Sequence, residues 1–255
     1  MEGYDASTYG ERYADVYDDW YGGVTDAEAC ADRVAALAAE AGGGPVLELG
    51  VGSGRLALPM AGRGLEVHGL DASAAMLERL RAKPGGEAVR TTLGDMATVP
   101  LDDPPGFAVV LVAFNTLFNL ATEDEQRRCL RRARQLLAPA GRLVVEAFVP
   151  REDLSGSAER SVTPRHLTAD EVVLTVSVVD PVQQTISGQH VHLTEAGTRV
   201  RPWHLRYLTP TQLDALAGEI GLVLVDRAAG WRGEPFGGDS DAHVSTYRKA
   251  TSPQG

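Results

Sequence analysis

The sequence has no run of about 18 consecutive apolar residues, so nothing in it reads as a membrane-spanning helix. Its opening, Met1-Glu2-Gly3-Tyr4-Asp5-Ala6-Ser7, lacks the basic start and apolar core of a secretory signal. Cysteine is nearly missing too. Cys30 and Cys129 are the only two, each inside a helical pattern, and they read as small core residues rather than a disulfide or a metal pair. These absences together lead us to expect a cytoplasmic protein without a metal. Basic residues are outnumbered, 24 Lys and Arg against 35 Asp and Glu, for a formal net charge of −11. That balance argues against a nucleic-acid partner, whose binding rests on neutralising phosphates. The arginines at 127, 128, 131, 132 and 134 do not rescue it. Leu130, Ala133, Leu136 and Leu137 mark the buried face of the same helix, and the arginines are its solvated complement.

What is present centres on Val46 to Met60. Val46 to Leu49 form a short apolar run, as in a buried parallel strand. Gly50, Gly52 and Gly54 follow at alternate positions before a helical stretch. Such a turn feeding a helix N-terminus admits a ligand against bare main chain. Glu66 to Asp71 then reads as a second strand ending in an acid, where an open α/β sheet places a ribose-binding carboxylate. A third strand over Val89 to Leu93 leads into Gly94-Asp95-Met96.

The glycines are spaced G-x-G-x-G behind Glu48, not G-x-G-x-x-G as in the dinucleotide fingerprint. At these residues the sequence resembles the class I methyltransferases that use S-adenosylmethionine, closely over residues 45–148 and by pattern over 205–249. The resemblance implies a Rossmann-like, doubly wound seven-stranded α/β sheet with an antiparallel last strand. It places the methionine end of S-adenosylmethionine on Glu48, Gly50, Gly52, Gly54 and Arg55, and the ribose on Asp71 beside Ala72. The adenine falls to Gly94, Asp95 and Met96, with Met76 nearby. Asp95 also suits a loop cap. Phe107 to Phe114 is the candidate fourth strand, and Phe114, Asn115, Phe118 and Asn119 leave its carboxyl end where the methyl group should point.

Residues 1–25 hold five of the seven tyrosines, the last four at a spacing of four residues. On a helix these lie along one face, which suits either core packing or a lid over a sulfonium, since aromatic faces attract cations. Tyr9 and Tyr17 are the candidate substrate-orienting residues, and Tyr13 is assigned to the cofactor. Residues 26–150 would form the cofactor-binding core. Within 151–208 we expect a loop over Pro150 to Arg165, then three antiparallel strands, Glu171 to Val179, Gln183 to Leu193 and Arg199 to Leu208. Relatives use such an insertion to wall the substrate pocket or to contact another subunit. Residues 209–255 would complete the core.

Candidate bases are few. His68 reads as structural, His166 as a loop residue, and His190 and His192 share a strand face within reach of the pocket. His204 lies in an aromatic and basic cluster, Arg201 to Tyr207. Some amino-sugar N-methyltransferases have a histidine where Asn119 stands, and an amide is no base. A short-chain dehydrogenase needs Tyr-x-x-x-Lys, which Tyr247-Arg248-Lys249 does not supply. A DNA amino-methyltransferase needs Asp/Asn-Pro-Pro-aromatic after strand four, whereas Asp103-Pro104-Pro105-Gly106 precedes it. The expectation is methyl transfer to a small-molecule acceptor, an amine of an antibiotic or amino-sugar intermediate. Transfer to oxygen, or a cofactor-binding cyclase or binding module on the same fold, stay as alternatives.

Overall fold

The computed structural model describes residues 1–98, 106–150 and 158–250. Asp103-Pro104-Pro105 and the first part of the expected loop, 151–157, lie outside them. Two short helices, α1 (Thr8–Tyr13) and α2 (Tyr17–Tyr21), precede α3 (Ala27–Glu40). Then come β1 (Val46–Leu49), α4 (Ala57–Gly62), β2 (Val67–Asp71), α5 (Ala74–Ala82), β3 (Val89–Leu93) and β4 (Phe107–Val112). The helix α6 (Glu123–Leu136) leads to β5 (Leu137–Phe148). A second sheet is made of β6 (Glu159–Leu167), β7 (Glu171–Asp180), β8 (Thr185–Thr194) and β9 (Gly197–Arg206). The chain returns through α7 (Pro210–Glu219) to β10 (Leu222–Ala228) and β11 (Ala242–Lys249).

The main sheet has the order β10-β11-β5-β4-β1-β2-β3. Strands β1 to β5 pair in parallel, and β11 runs antiparallel between β5 and β10. Period-two alternation sends Leu47, Leu49, Val110 and Val112 into a core with α6 and α7. Val46, Val109 and Leu111 face α3, α4 and α5 on the other side. Both faces are covered, which is why these strands read as unbroken apolar runs. Local signals end the helices. Ser73 Oγ caps α5 by accepting from Met76 N at 3.2 Å, and Thr122 with Glu125 forms a capping box on α6.

Two expectations are corrected. The expected loop through Arg165 contains β6, which pairs antiparallel with β7. It is a mostly exposed edge strand, interrupted by Pro164 where the register shifts, so neither alternation nor apolar content announced it. The aromatic stripe is not one helix but two, broken at Ala14 to Val16, with Val16 at φ −121 and ψ −3. Tyr13 and Tyr21 are still buried, packed with Tyr9, Tyr17 and Met76 in a small core of their own.

That small core presses α1 against α5 so closely that a Cβ on Gly10 would stand 2.3 Å from Ser73 Cβ. Gly10→Ala is therefore expected to lift residues 1–25 from the core. Limited proteolysis should show faster cleavage in this segment, with little change in the melting of the main sheet.

Candidate functional site

A cavity of about 290 Å³ opens at the carboxyl ends of β1, β2, β3 and β4. One end is built from main chain. Gly50, at φ 73, approaches Thr116 so closely that a Cβ would stand 2.3 Å from its Cγ2, so a side chain is excluded on two grounds. Gly52 N donates to Asp71 Oδ2 at 2.8 Å and Ser73 N donates to Asp71 Oδ1 at 2.8 Å, which fixes the carboxylate at the end of β2. Burial raises the Asp71 pKa against these hydrogen bonds. Asp95 Oδ1 accepts from Ala97 N at 2.8 Å, so this residue does cap its loop while also lining the cavity.

The loop after β4 is strained. Phe114 and Asn115 are in the left-handed region, with φ 46 and 65. Glu146, on β5, holds the turn: its Oε2 accepts from Phe114 N at 2.8 Å and its carbonyl accepts from Asn115 N at 3.0 Å. Trp231 Nε1 donates to Glu146 Oε1 at 2.8 Å, and Asn115 Oδ1 accepts from Phe148 N at 2.7 Å. Nothing in the sequence marked Glu146 for this task, because its partners are 32 and 85 residues away.

The opposite wall comes from outside the main sheet. Tyr4, Tyr9, Tyr17 and Tyr21 of the N-terminal segment face His190 on β8 and Trp203 and Leu205 on β9 across the cavity. Three of the anchors of the N-terminal segment are carboxylates. Glu11 Oε1 accepts from Ser73 Oγ at 2.8 Å, Asp15 pairs with Arg199 and Arg201, and Asp18 Oδ1 accepts from Lys83 Nζ at 2.7 Å and from Ser53 Oγ.

Among the residues singled out in the sequence, the cavity brings together Tyr9, Tyr17, Gly50, Gly52, Asp71, Ala72, Met76, Gly94, Asp95, Met96, Phe114, Asn115 and Asn119. Others sit behind it. Phe118 is fully buried in the core against Phe148, and Tyr13 is buried with its hydroxyl on the insertion. Gly54 packs against Leu80. Glu48 is buried behind the glycine turn, its Oε2 without a hydrogen bond among the described residues, and its pKa is pushed up to about 8, chiefly by desolvation. Arg55 stacks its guanidinium 5.1 Å from the Phe114 ring centre, with Nε and Nη1 buried and unpartnered among the described residues. Of the histidines, only His190 reaches the cavity: His192 and His166 contact Glu171, and His204 Nδ1 contacts Ser187 Oγ.

Residues 46–141 match the methyltransferase domain family. The structure of the CcbJ methyltransferase from Streptomyces caelestis is 42% identical, covering 97% of this chain and 100% of that one, with a TM-score of 0.88. This chain belongs to the S-adenosylmethionine-dependent methyltransferases. An uncharacterized methyltransferase of Geobacillus kaustophilus is 32% identical over 145 residues, 56% of this chain and 60% of the relative's length. The cypemycin N-terminal methyltransferase of a Streptomyces species is 28% identical over 197 residues, 76% and 78% of the two chains. The residues present fit S-adenosylmethionine. The glycine turn leaves open main chain, and Asp71 offers a fixed carboxylate on the cavity. No helix among the described residues is long and apolar enough to cross a membrane.

Asp71→Ala should weaken S-adenosylmethionine binding by about 1–3 kcal/mol through lost charged hydrogen bonds. Unchanged affinity by calorimetry would exclude the ribose role. Glu48 generates a pH effect. Its folded pKa lies above its unfolded value, so between about pH 4.5 and 8 the folded state binds more protons and stability falls as pH rises. Glu48→Gln should flatten that slope in urea titrations across the window, and an unchanged slope would show the carboxyl to be ionised throughout.

Proposed function

We propose that this chain transfers a methyl group from S-adenosylmethionine to an amine nitrogen of a small natural-product intermediate. The observation that carries the reading is the acceptor end of the cavity, which is aromatic and whose one neutral base, His190, is buried beside Arg165 and Arg201, which oppose the charge it would gain by taking a proton from a hydroxyl. The Tyr9 and Tyr17 hydroxyls have pKa values raised by burial, so they stay protonated. Asp5 also lines the cavity, but its Oδ1 already accepts from the amides and hydroxyls of Ser7 and Thr8. No lysine is among the lining residues. A hydroxyl acceptor needs a stronger base than the His190 imidazole, whereas an uncharged amine already carries its attacking lone pair. The name of the cypemycin relative, an N-terminal methyltransferase, supports nitrogen as the acceptor atom.

When bound, S-adenosylmethionine supplies a methyl group already activated on a sulfonium. The chain's own contribution is alignment, which in favourable cases is worth roughly 7–11 kcal/mol. Tyr9 stacks on Tyr13 at 4.3 Å and meets Tyr17 edge-on at 6.4 Å, so both hydroxyl-bearing rings are fixed by neighbouring rings. These faces also suit a cationic centre. Asn119 and Phe114 close the side nearest β4.

The test uses S-adenosylmethionine with a carbon-13 methyl and matched probes, methyl glucosaminide and methyl glucoside. The label is expected on nitrogen of the first and nowhere on the second. Label on a hydroxyl would overturn the reading. Tyr9→Phe should lower kcat by about tenfold, the loss of one positioning hydrogen bond, with the fold intact.

A further inference from the structure

His190 occupies an unusual position for a residue from an insertion. It is 5% exposed, lines the cavity opposite the tyrosines, and is held from behind. The Tyr13 hydroxyl stands 2.9 Å from the Arg201 carbonyl and 2.7 Å from His190 Nδ1. A carbonyl only accepts, and a phenol has one proton, so Tyr13 donates to Arg201 and must accept from His190. The imidazole therefore carries its proton on Nδ1. Its Nε2 is left as a bare acceptor without a hydrogen bond among the described residues, on a side chain that lines the cavity.

The surroundings keep the ring neutral. On β9, its register partner Arg201 is buried and bonded to Asp15 at 2.8 Å and to the Arg12 carbonyl at 3.1 Å. From β6, Arg165 donates to the Trp20 carbonyl at 3.2 Å and stacks on the Trp20 and Tyr21 rings. Trp20 meets the imidazole edge-on at 5.4 Å, and Trp203 lies at 6.3 Å. Across β8 and β7, His192 pairs with Glu171, and Thr175 stands opposite in register. Asp15 thus neutralises only part of a doubly cationic setting. Burial and the two guanidiniums lower the His190 pKa to about 4.

We infer that His190 is the acceptor-positioning residue of this enzyme: its Nε2 receives an N–H from the uncharged amine, and the Tyr13–Arg201 pair fixes the tautomer that permits this. The inference rests on the amine reading given above. It deepens that reading in one respect, because the Arg165 and Arg201 guanidiniums beside His190 oppose the charge of an ammonium ion at this imidazole. The subsite also holds the Tyr4 hydroxyl and Trp203 Nε1, both buried and unpartnered among the described residues, as further polar contacts for an acceptor.

The experiment follows the His190 imidazole by nitrogen-15 resonance in protein saturated with S-adenosylhomocysteine. Methyl glucosaminide, morpholine and benzylamine serve as amine probes at about pH 6 and about pH 9.5, on either side of a typical perturbed amine range. Nε2 is expected to resonate as a bare nitrogen at both pH values, and to shift with at least one amine at the higher pH only. Tyr13→Phe should mix the two tautomers. His190→Leu should weaken amine binding by about tenfold and leave S-adenosylhomocysteine affinity within about twofold, a split that a merely structural role would not produce. A proton on Nε2 in the unliganded subsite, an equal response to the ammonium form, silence toward all three amines at the higher pH, or unchanged amine affinity in His190→Leu would each overturn the inference. Failure of S-adenosylhomocysteine to bind at all would instead remove the transfer reading, and this inference with it.

Discussion

Packing four tyrosines of two short helices into one small core requires something else to hold the segment down, and three carboxylates contribute. Glu11, Asp15 and Asp18 are spaced like one helical face, and the tyrosines occupy the other. Each acid attaches to a different part of the molecule: Glu11 to the start of α5, Asp15 to β9, Asp18 to the glycine turn through Ser53 and Lys83. Part-exposed contacts such as Asp18 with Lys83 and Glu11 with Ser73 are individually weak. Their value here is placement. They hold the aromatic face against a cavity whose two other walls come from the main sheet and the second sheet.

The strained turn after β4 depends on the same logic at a smaller scale. Two consecutive residues with side chains in the left-handed region are unfavourable, and such a turn persists only where its surroundings over-determine it. Glu146 supplies both a carboxylate and a carbonyl to the two amides, and Trp231 from the segment after β10 fixes the carboxylate in turn. Phe114 is thereby turned toward the cavity, and its ring receives the Arg55 guanidinium. Glu48 and Glu146 both lie near that guanidinium, and burial drives both of their pKa values up. The glycine turn and the β4 turn meet at one half-buried arginine.

The main sheet was legible in the sequence because its strands are buried on both faces and its helices carry caps and breakers at their ends. Val89 to Leu93 coincides with β3, and the antiparallel last strand that the resemblance implied is β11, within the hairpin of β10 and β11. The glycine turn and the acid ending β2 were legible for a different reason, since local geometry there restricts residue type. What escaped had no local signature. The edge strand β6 is polar and mostly exposed, and Glu146 acts on residues far away in sequence. Phe118 lies in an aromatic stretch beside the cavity, but the short 3-10 turn over Thr116–Asn119 points it into the core and leaves Asn119 on the cavity.

The two ends of the cavity therefore differ in how they are encoded. The cofactor end is made of main-chain amides, glycines and one acid at strand ends, features any chain needs in order to form this turn at all. The acceptor end is made of side chains borrowed from the N-terminal segment and the second sheet. There Tyr13 orders His190 from behind while Tyr4, Tyr9 and Trp203 face forward. Changes in those two outer elements leave the main sheet and its glycine turn unaltered, so acceptor choice can drift while cofactor binding is kept. Such drift is constrained at one point. Asp15 and Tyr13 both engage Arg201, so the segment that supplies the tyrosines and the strand that supplies Trp203 must change together.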